Sequence, residues 1–131
     1  MAKTVTKILG VVFLLVGLAG FVAPGILGMH LSMAHNIVHL ISGALALYFG
    51  LTGTLRAVRS FCLIFGVVYG LLGLLGLAAG TGTEQMLTVI PGQLILGKID
   101  HIVHVLLGGV FLLSGIIDKT TVVSTPVESN K

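Results

Sequence analysis

The sequence predicts an all-α membrane protein, an antiparallel bundle of four transmembrane helices made from two repeated helical hairpins. Three observations predict it. First, hydrophobic residues make up 56% of the 131 residues and charged residues only 8%, against roughly 25% charged in an ordinary soluble domain. A soluble chain of this length needs polar residues to cover its surface, so the missing charges point to lipid as the solvent. Second, apolar runs fall at residues 8–23, 37–54, 61–79 and 102–117, each near the roughly 20 residues that a helix needs to cross the hydrocarbon. Third, the chain repeats itself, and a repeat of helix–loop–helix units gives an even number of spans.

The first span, residues 8–23, follows Lys3 and Lys7 and ends in "FVAPG". Basic residues ahead of an apolar stretch resemble a signal peptide, but the stretch has a counterpart later in the chain, so a retained helix is expected. The second span, 37–54, is followed by a short connection holding Arg56 and Arg59, and the third is 61–79. The fourth, 102–117, leads into a polar Ser/Thr-rich tail over 118–131, expected to be a disordered cytoplasmic end. None of the runs shows the alternation of a barrel strand, and an isolated span must satisfy its backbone internally, which makes helix the expectation. With four spans, Lys3, Lys7, Arg56, Arg59, Lys119 and Lys131 all fall on one side, which the positive-inside rule makes the cytoplasm. The location expected is therefore a cytoplasmic membrane, with both termini inside.

The repeat organises the rest. "GVVFLLVGLAG" from Gly10 matches "GVVYGLLGLLG" from Gly66, and "HNIVHLISG" from His35 matches "DHIVHVLLG" from Asp100. The halves are residues 7–54 and 60–117, related by a pseudo-twofold along the membrane normal. The second pair is offset further than the first, so the second half carries a longer outer loop. Gly10 and Gly17 in the first span, and Gly66, Gly70 and Gly73 in the third, fall on single helical faces. Gly43 and Gly108 close the repeated phrases. Small residues so spaced let helix backbones approach where lipid supplies no hydrophobic drive for association.

The repeated phrase carries the ionisable groups. Residues four apart share a helical face, so His35, His39 and Gly43 form one stripe, and Asp100, His104 and Gly108 form its counterpart. Three readings are open. In the structural one, Asp100 caps the fourth helix and Asn36 the second, while Asn36, His39, His101 and His104 act as interhelical polar ties. In the second, His35, His39, Asp100 and His104 are ligands to a divalent metal such as zinc. In the third, His39 and His104 are paired axial ligands of a haem. His30 is expected to be an exposed loop residue, and a copper site using the nearby methionines is the weakest reading. Cys62 stands alone, which excludes an intramolecular disulfide. No basic patch interleaved with aromatics points to nucleic acid, and no nucleophile–base order, paired carboxylates or P-loop points to catalysis. The outer loops "APGILGMHL" and "QMLTVIPGQLILG" are apolar but too short to span, and are expected to be interfacial or partly re-entrant, folded over the histidine end.

The phrase Asn36-x-x-His39 opening a Gly-rich helix, with Gly43 following, resembles a bacterial family of small integral membrane proteins of unknown function. In the second half His101 stands where the Asn would be, and Asp100 lies one residue earlier. The resemblance implies a four-helix membrane fold and a bacterial inner-membrane location, and supplies no activity. The function expected is that of a non-enzymatic structural or accessory membrane protein without a cofactor. Its expected partners are the lipid bilayer and either further copies of itself or another membrane protein. The alternative is a metal- or haem-binding membrane protein using the histidine end.

Overall fold

The computed structural model describes residues 1–118. The polar tail expected over 118–131 lies, beyond Asp118, outside the described residues. Four helices dominate: α1 (Ala2–Val22), α2 (Met33–Thr52), α3 (Leu55–Ala79) and α4 (Lys98–Ile117). All four are long and apolar enough to cross a membrane. At 1.5 Å per residue a 20-residue helix reaches about 30 Å, the thickness of the hydrocarbon core. Away from the helix ends their outward faces are largely apolar, with Ile8, Leu15, Ile64 and Leu106 each more than half exposed.

Each helix begins several residues before the apolar run that predicted it. Hydropathy marks the part that sits in hydrocarbon, whereas the backbone ladder continues through polar residues until a cap stops it. Ser32 accepts from the His35 N–H at the start of α2 (3.3 Å), and Thr54 accepts from the Ala57 N–H at the start of α3 (3.2 Å). Asn36, expected as a cap, therefore lies inside α2.

The all-α expectation needs one correction. The outer connection between α3 and α4 contains a two-stranded antiparallel sheet, β1 (Leu87–Ile90) and β2 (Leu94–Leu96). Its turn places Pro91 and then Gly92, at φ +70°, between the strands, and the Gln93 N–H donates to the Ile90 carbonyl at 3.0 Å. Proline presets the first turn position and glycine alone enters the second without strain. β-Branched and aliphatic residues flank this turn, and in β2 Leu94 and Leu96 are buried while Ile95 is not. That is period-two alternation over a lid. The shorter connection between α1 and α2 is a single 3-10 turn, Ile26–Gly28.

Contacts concentrate within each hairpin and are sparse between hairpins. The two kinds of seam are built differently. Inside α1–α2, a Cβ at Gly10 would stand 2.9 Å from Leu47, and one at Gly17 would stand 3.0 Å from the Asn36 carbonyl oxygen. Inside α3–α4, a Cβ at Gly66 would stand 2.6 Å from Leu112, and one at Gly73 would stand 2.6 Å from the His101 carbonyl oxygen. Between the hairpins the spacers are aromatic: Phe13 stacks on Tyr69 (5.4 Å between centroids), and Phe111 and Phe61 complete the buried seam. Glycine seams bring helix axes close, and ring seams hold the hairpins apart.

At the end carrying Lys3, Lys7, Arg56 and Arg59, the start of α1 meets the residue that follows α4. Asp118 accepts from the Ala2 N–H at 2.6 Å and from the Met1 ammonium at 3.0 Å. These partners, the backbone N–H first, hold its carboxyl below the usual carboxylate range. Arg59 Nε donates to the Gly115 carbonyl (2.9 Å), satisfying a carbonyl in the last turn of α4.

Candidate functional site

At the opposite end the start of α2, the start of α4 and both outer loops converge. His35 and His39 lie one turn apart on α2, continue through Ser42 and Ala46, and face the bundle interior. Gly43, expected on the same stripe, instead faces α1, where a Cβ would meet the Gly10 carbonyl and Leu14. Gly108 likewise faces Gly70 and Gly66 on α3. The interior stripe on α2 follows the i, i+4, i+7 spacing.

His35, Asn36, His39, Asp100, His101 and His104 are all buried. His35 Nδ1 donates to the His30 carbonyl at 2.8 Å. A carbonyl only accepts, so with His35 neutral its Nε2 is a bare acceptor. His39 Nε2, 3.0 Å away, must then be the donor in their contact. With both rings neutral, His39 Nδ1 is left as a buried lone pair, and it has no protein partner. His104 stands across the bundle, edge-on to Tyr69 (5.3 Å) and tilted to His35 (5.8 Å), and its Nδ1 also lacks a partner. The Tyr69 hydroxyl donates to Ser42 Oγ at 3.0 Å.

Asp100 does something different. It occupies the third position of α4, and its carboxylate reaches back to the Gly97 N–H (2.8 Å), the N-terminal tie of a capping box whose glycine cap has no side chain to return the bond. Both carboxylate oxygens also face the His30 N–H, at 3.1 and 3.2 Å. The His30 ring lies over Gly97, with Nδ1 3.4 Å from Asp100 Oδ2. The single residue His30 is thus held from both sides, its N–H by Asp100 and its carbonyl by His35.

Asn36 and His101 fill notches. A Cβ at Gly20 would collide with the Asn36 amide, and one at Gly76 would collide with the His101 ring. From those notches each side chain donates to a carbonyl of its own hairpin's outer loop, Asn36 to Leu31 (3.4 Å) and His101 Nε2 to Gln85 (2.8 Å). His35, His39 and His104 are therefore brought together, whereas Asp100 and His101 serve the loops. Among the described residues no group of three or more His, Cys, Asp or Glu is set to hold a metal ion.

Beside the three rings, between α2 and α3, lies a cavity of ≈ 200 Å³. His35, His39, Ser42, Tyr69 and His104 line it, and Leu94 and Leu96 of β2 cover its outer end. Sequence reasoning missed Ser42, Tyr69 and the capping role of Ser32. Ser42 carried a signal, three residues beyond His39 on the same face. Tyr69 carried one too, aligned with Phe13 in the repeat.

The chain belongs to the family described as Domain of unknown function (DUF4383), whose profile matches residues 3–117, taking in all four helices and both outer loops. No curated protein and no solved structure matches it.

Proposed function

We propose, with membership of this family as the premise, that the chain is a non-enzymatic, multi-pass accessory protein of a bacterial cytoplasmic membrane. In this reading it is a duplicated hairpin with both ends in the cytoplasm, and it works by associating with further copies or with another membrane protein. The observation that carries the reading is how the chemistry-bearing groups are used. Asp100, His35, Asn36 and His101 are each committed to a backbone group of an outer loop or of a helix start. Polar groups so used fix a shape rather than perform a reaction.

Duplication draws support from the equivalent glycine contacts of the two hairpins and from two pairs that meet at the centre. Thr6 faces Cys62 (3.1 Å) and Phe13 faces Tyr69, and both pairs are related by the 56-residue offset of the repeat. The orientation draws support from Lys3, Lys7, Arg56 and Arg59 at one end. Association draws support from the β-hairpin lid, whose Val89 and Ile90 are exposed outside the four spans.

The test is the mass of the complex extracted from native membranes with its surrounding lipid. A homo-oligomer or a stoichiometric second protein is expected. A lone chain under every extraction condition would refute the accessory role. The alternative of a metal held by His35, His39, Asp100 and His104 is favoured only by the His35–His39 contact, because both Asp100 oxygens already accept backbone N–H groups.

A further inference from the structure

The accessory reading uses the outer loops only as a shape, and the inference here stands independently of it. We propose that the groove between the two outer loops binds a soft monovalent metal ion, copper(I), through His30 Nε2 and the thioethers of Met29 and Met86.

Placement comes first. Apart from Met1 the chain has three methionines, Met29, Met33 and Met86, and the fold separates them. Met29 and Met86 line one groove of ≈ 610 Å³ together with His30, between the α1–α2 connection and the β-hairpin. Met33 turns away, 70% exposed, into a neighbouring hollow that neither of the others lines. Each donor stands on backbone that is already fixed. The Met86 N–H and carbonyl pair with Thr81 (2.8 and 3.1 Å), and the Met29 N–H donates to the Ile26 carbonyl (3.1 Å). The Lys98 N–H donates to the Glu84 carbonyl (2.8 Å), which brings the Met86 segment beside Gly97, the residue under the His30 ring. His30 and Met86 thus come from opposite halves of the chain to the start of α4.

Chemistry selects the ion. His30 Nδ1 is sealed from solvent and faces Asp100 Oδ2 at 3.4 Å, while the side chain as a whole is 41% exposed. A lone pair on Nδ1 would oppose the carboxylate, so in the neutral ring Nδ1 keeps the proton and Nε2 carries the lone pair. The ring opens to the groove by that Nε2 edge. An imidazole oriented by a carboxylate behind it is the arrangement that supports metal-bound histidines. Asp100 is that support rather than a ligand, because its oxygens already accept the Gly97 and His30 N–H groups. The lining of the groove holds no Cys, Asp or Glu. One imidazole with two thioethers suits copper(I), whereas zinc asks for imidazole with thiolate or carboxylate, and calcium and magnesium ask for oxygen.

The experiment uses the full chain, with its methionine methyl groups labelled with carbon-13, in lipid nanodiscs under anaerobic conditions. Copper(I) is offered in competition with a chromophoric chelator, and protein-free discs are the baseline. Uptake of one copper(I) per chain is expected, displaced by silver(I) and not by excess zinc(II). The Met29 and Met86 methyl resonances should shift while that of Met33 stays in place. Met86→Leu keeps the shape of the side chain, and His30→Ala keeps both backbone groups held by Asp100 and His35. Each is expected to weaken copper(I) binding by at least about tenfold, as even an outer-shell change does at a metal site. Met33→Leu is expected to bind like the unaltered chain. The methyl shifts are read on the unaltered chain, so they decide the matter if a variant fails to fold. No uptake above the discs, unmoved Met29 and Met86 methyl groups, or displacement by zinc(II) would overturn the proposal. So would copper(I) that Met86→Leu retains and that His39→Ala or Cys62→Ala loses.

Discussion

The hairpins α1–α2 and α3–α4 close on themselves through the same device and part company at their outer ends. In both, glycines on the first helix receive the second: Gly17 lies against Asn36 and Leu40, and Gly73 against His101 and Val105. In both, a larger polar side chain sits in the notch of a further glycine and ties down a loop carbonyl. The outer loops differ, one a single 3-10 turn and the other a β-hairpin, and so do the residues opening the second helix of each pair. His35 in one position and Asp100 in the other grip the two faces of the same residue, His30. The comparison teaches that the two hairpins pack by like contacts, whereas their loop-binding positions differ in chemistry and grip complementary groups of one residue.

The largest expected effect strikes the asymmetric clamp. Asp100→Ala leaves the N–H groups of buried Gly97 and of His30 without their carboxylate, at a cost of about 3 kcal/mol, given roughly 1–3 kcal/mol for each buried donor left unpaired. Unfolding in mixed micelles measures it, and a loss within error of zero would mean that water replaces the carboxylate. Next come the glycine seams, where the two hairpins should differ in degree. A Cβ at Gly108 would stand 2.5 Å from the Gly70 nitrogen, which is helix backbone. The backbone cannot give way locally, so Gly108→Ala is expected to cost about 2–3 kcal/mol by overpacking.

Gly43→Ala meets the Gly10 carbonyl and the Leu14 side chain, both at 2.8 Å. The Gly10 carbonyl is helix backbone too, but the overlap is smaller than at Gly108 and Leu14 can turn aside, so about 1–2 kcal/mol is expected. Gly70→Ala has room, its Cβ lying 4.0 Å from the Gly108 Cα, and is expected to change stability by less than about 0.5 kcal/mol. Reversal of the Gly108 and Gly70 effects would break the packing account of that hairpin.

The smallest effect lies at the cytoplasmic end in the proposed orientation. The Asp118 carboxyl is held below its ordinary range by the Ala2 N–H and the Met1 ammonium. Folded-state binding of fewer protons means that its contribution is complete above the unfolded carboxylate range and is lost as pH falls through the lower folded value. The group is exposed, so the contribution is small. A carbon-detected titration of Asp118 should show a midpoint below that of a free aspartate, and Asp118→Asn should abolish the associated acid-side slope in stability.

Much of the fold was legible in the sequence because lipid imposes it. Lengths of apolar runs, caps aside, mark four helices, and the spacing of Gly10, Gly17, Gly66 and Gly73 marks the faces by which they pair. What escaped was set by tertiary contact or by overlooked turn chemistry. The Pro91-Gly92 turn, flanked by β-branched residues, carried the signal of a hairpin, but the length of its apolar surroundings favoured an interfacial segment. Asp100 was legible as a group serving the start of α4. That its oxygens also meet the His30 N–H depends on how the α1–α2 loop folds across the bundle, which no local pattern encodes. The stripe containing Gly43 was misassigned because spacing of four and of three residues both satisfy a helix, and only the neighbour decides which face is interior.

The central claim is that the repeated phrase clamps the outer loop through His30, with Asp100 on its N–H and His35 on its carbonyl. Amide hydrogen exchange at His30, compared between the unaltered chain and Asp100→Ala, tests it most directly. Strong protection of the His30 and Gly97 amides that collapses in the variant, with mid-helix amides of α1 unchanged, is the predicted result. A His30 amide that exchanges freely in the unaltered chain, or that keeps its protection without the carboxylate, would contradict it.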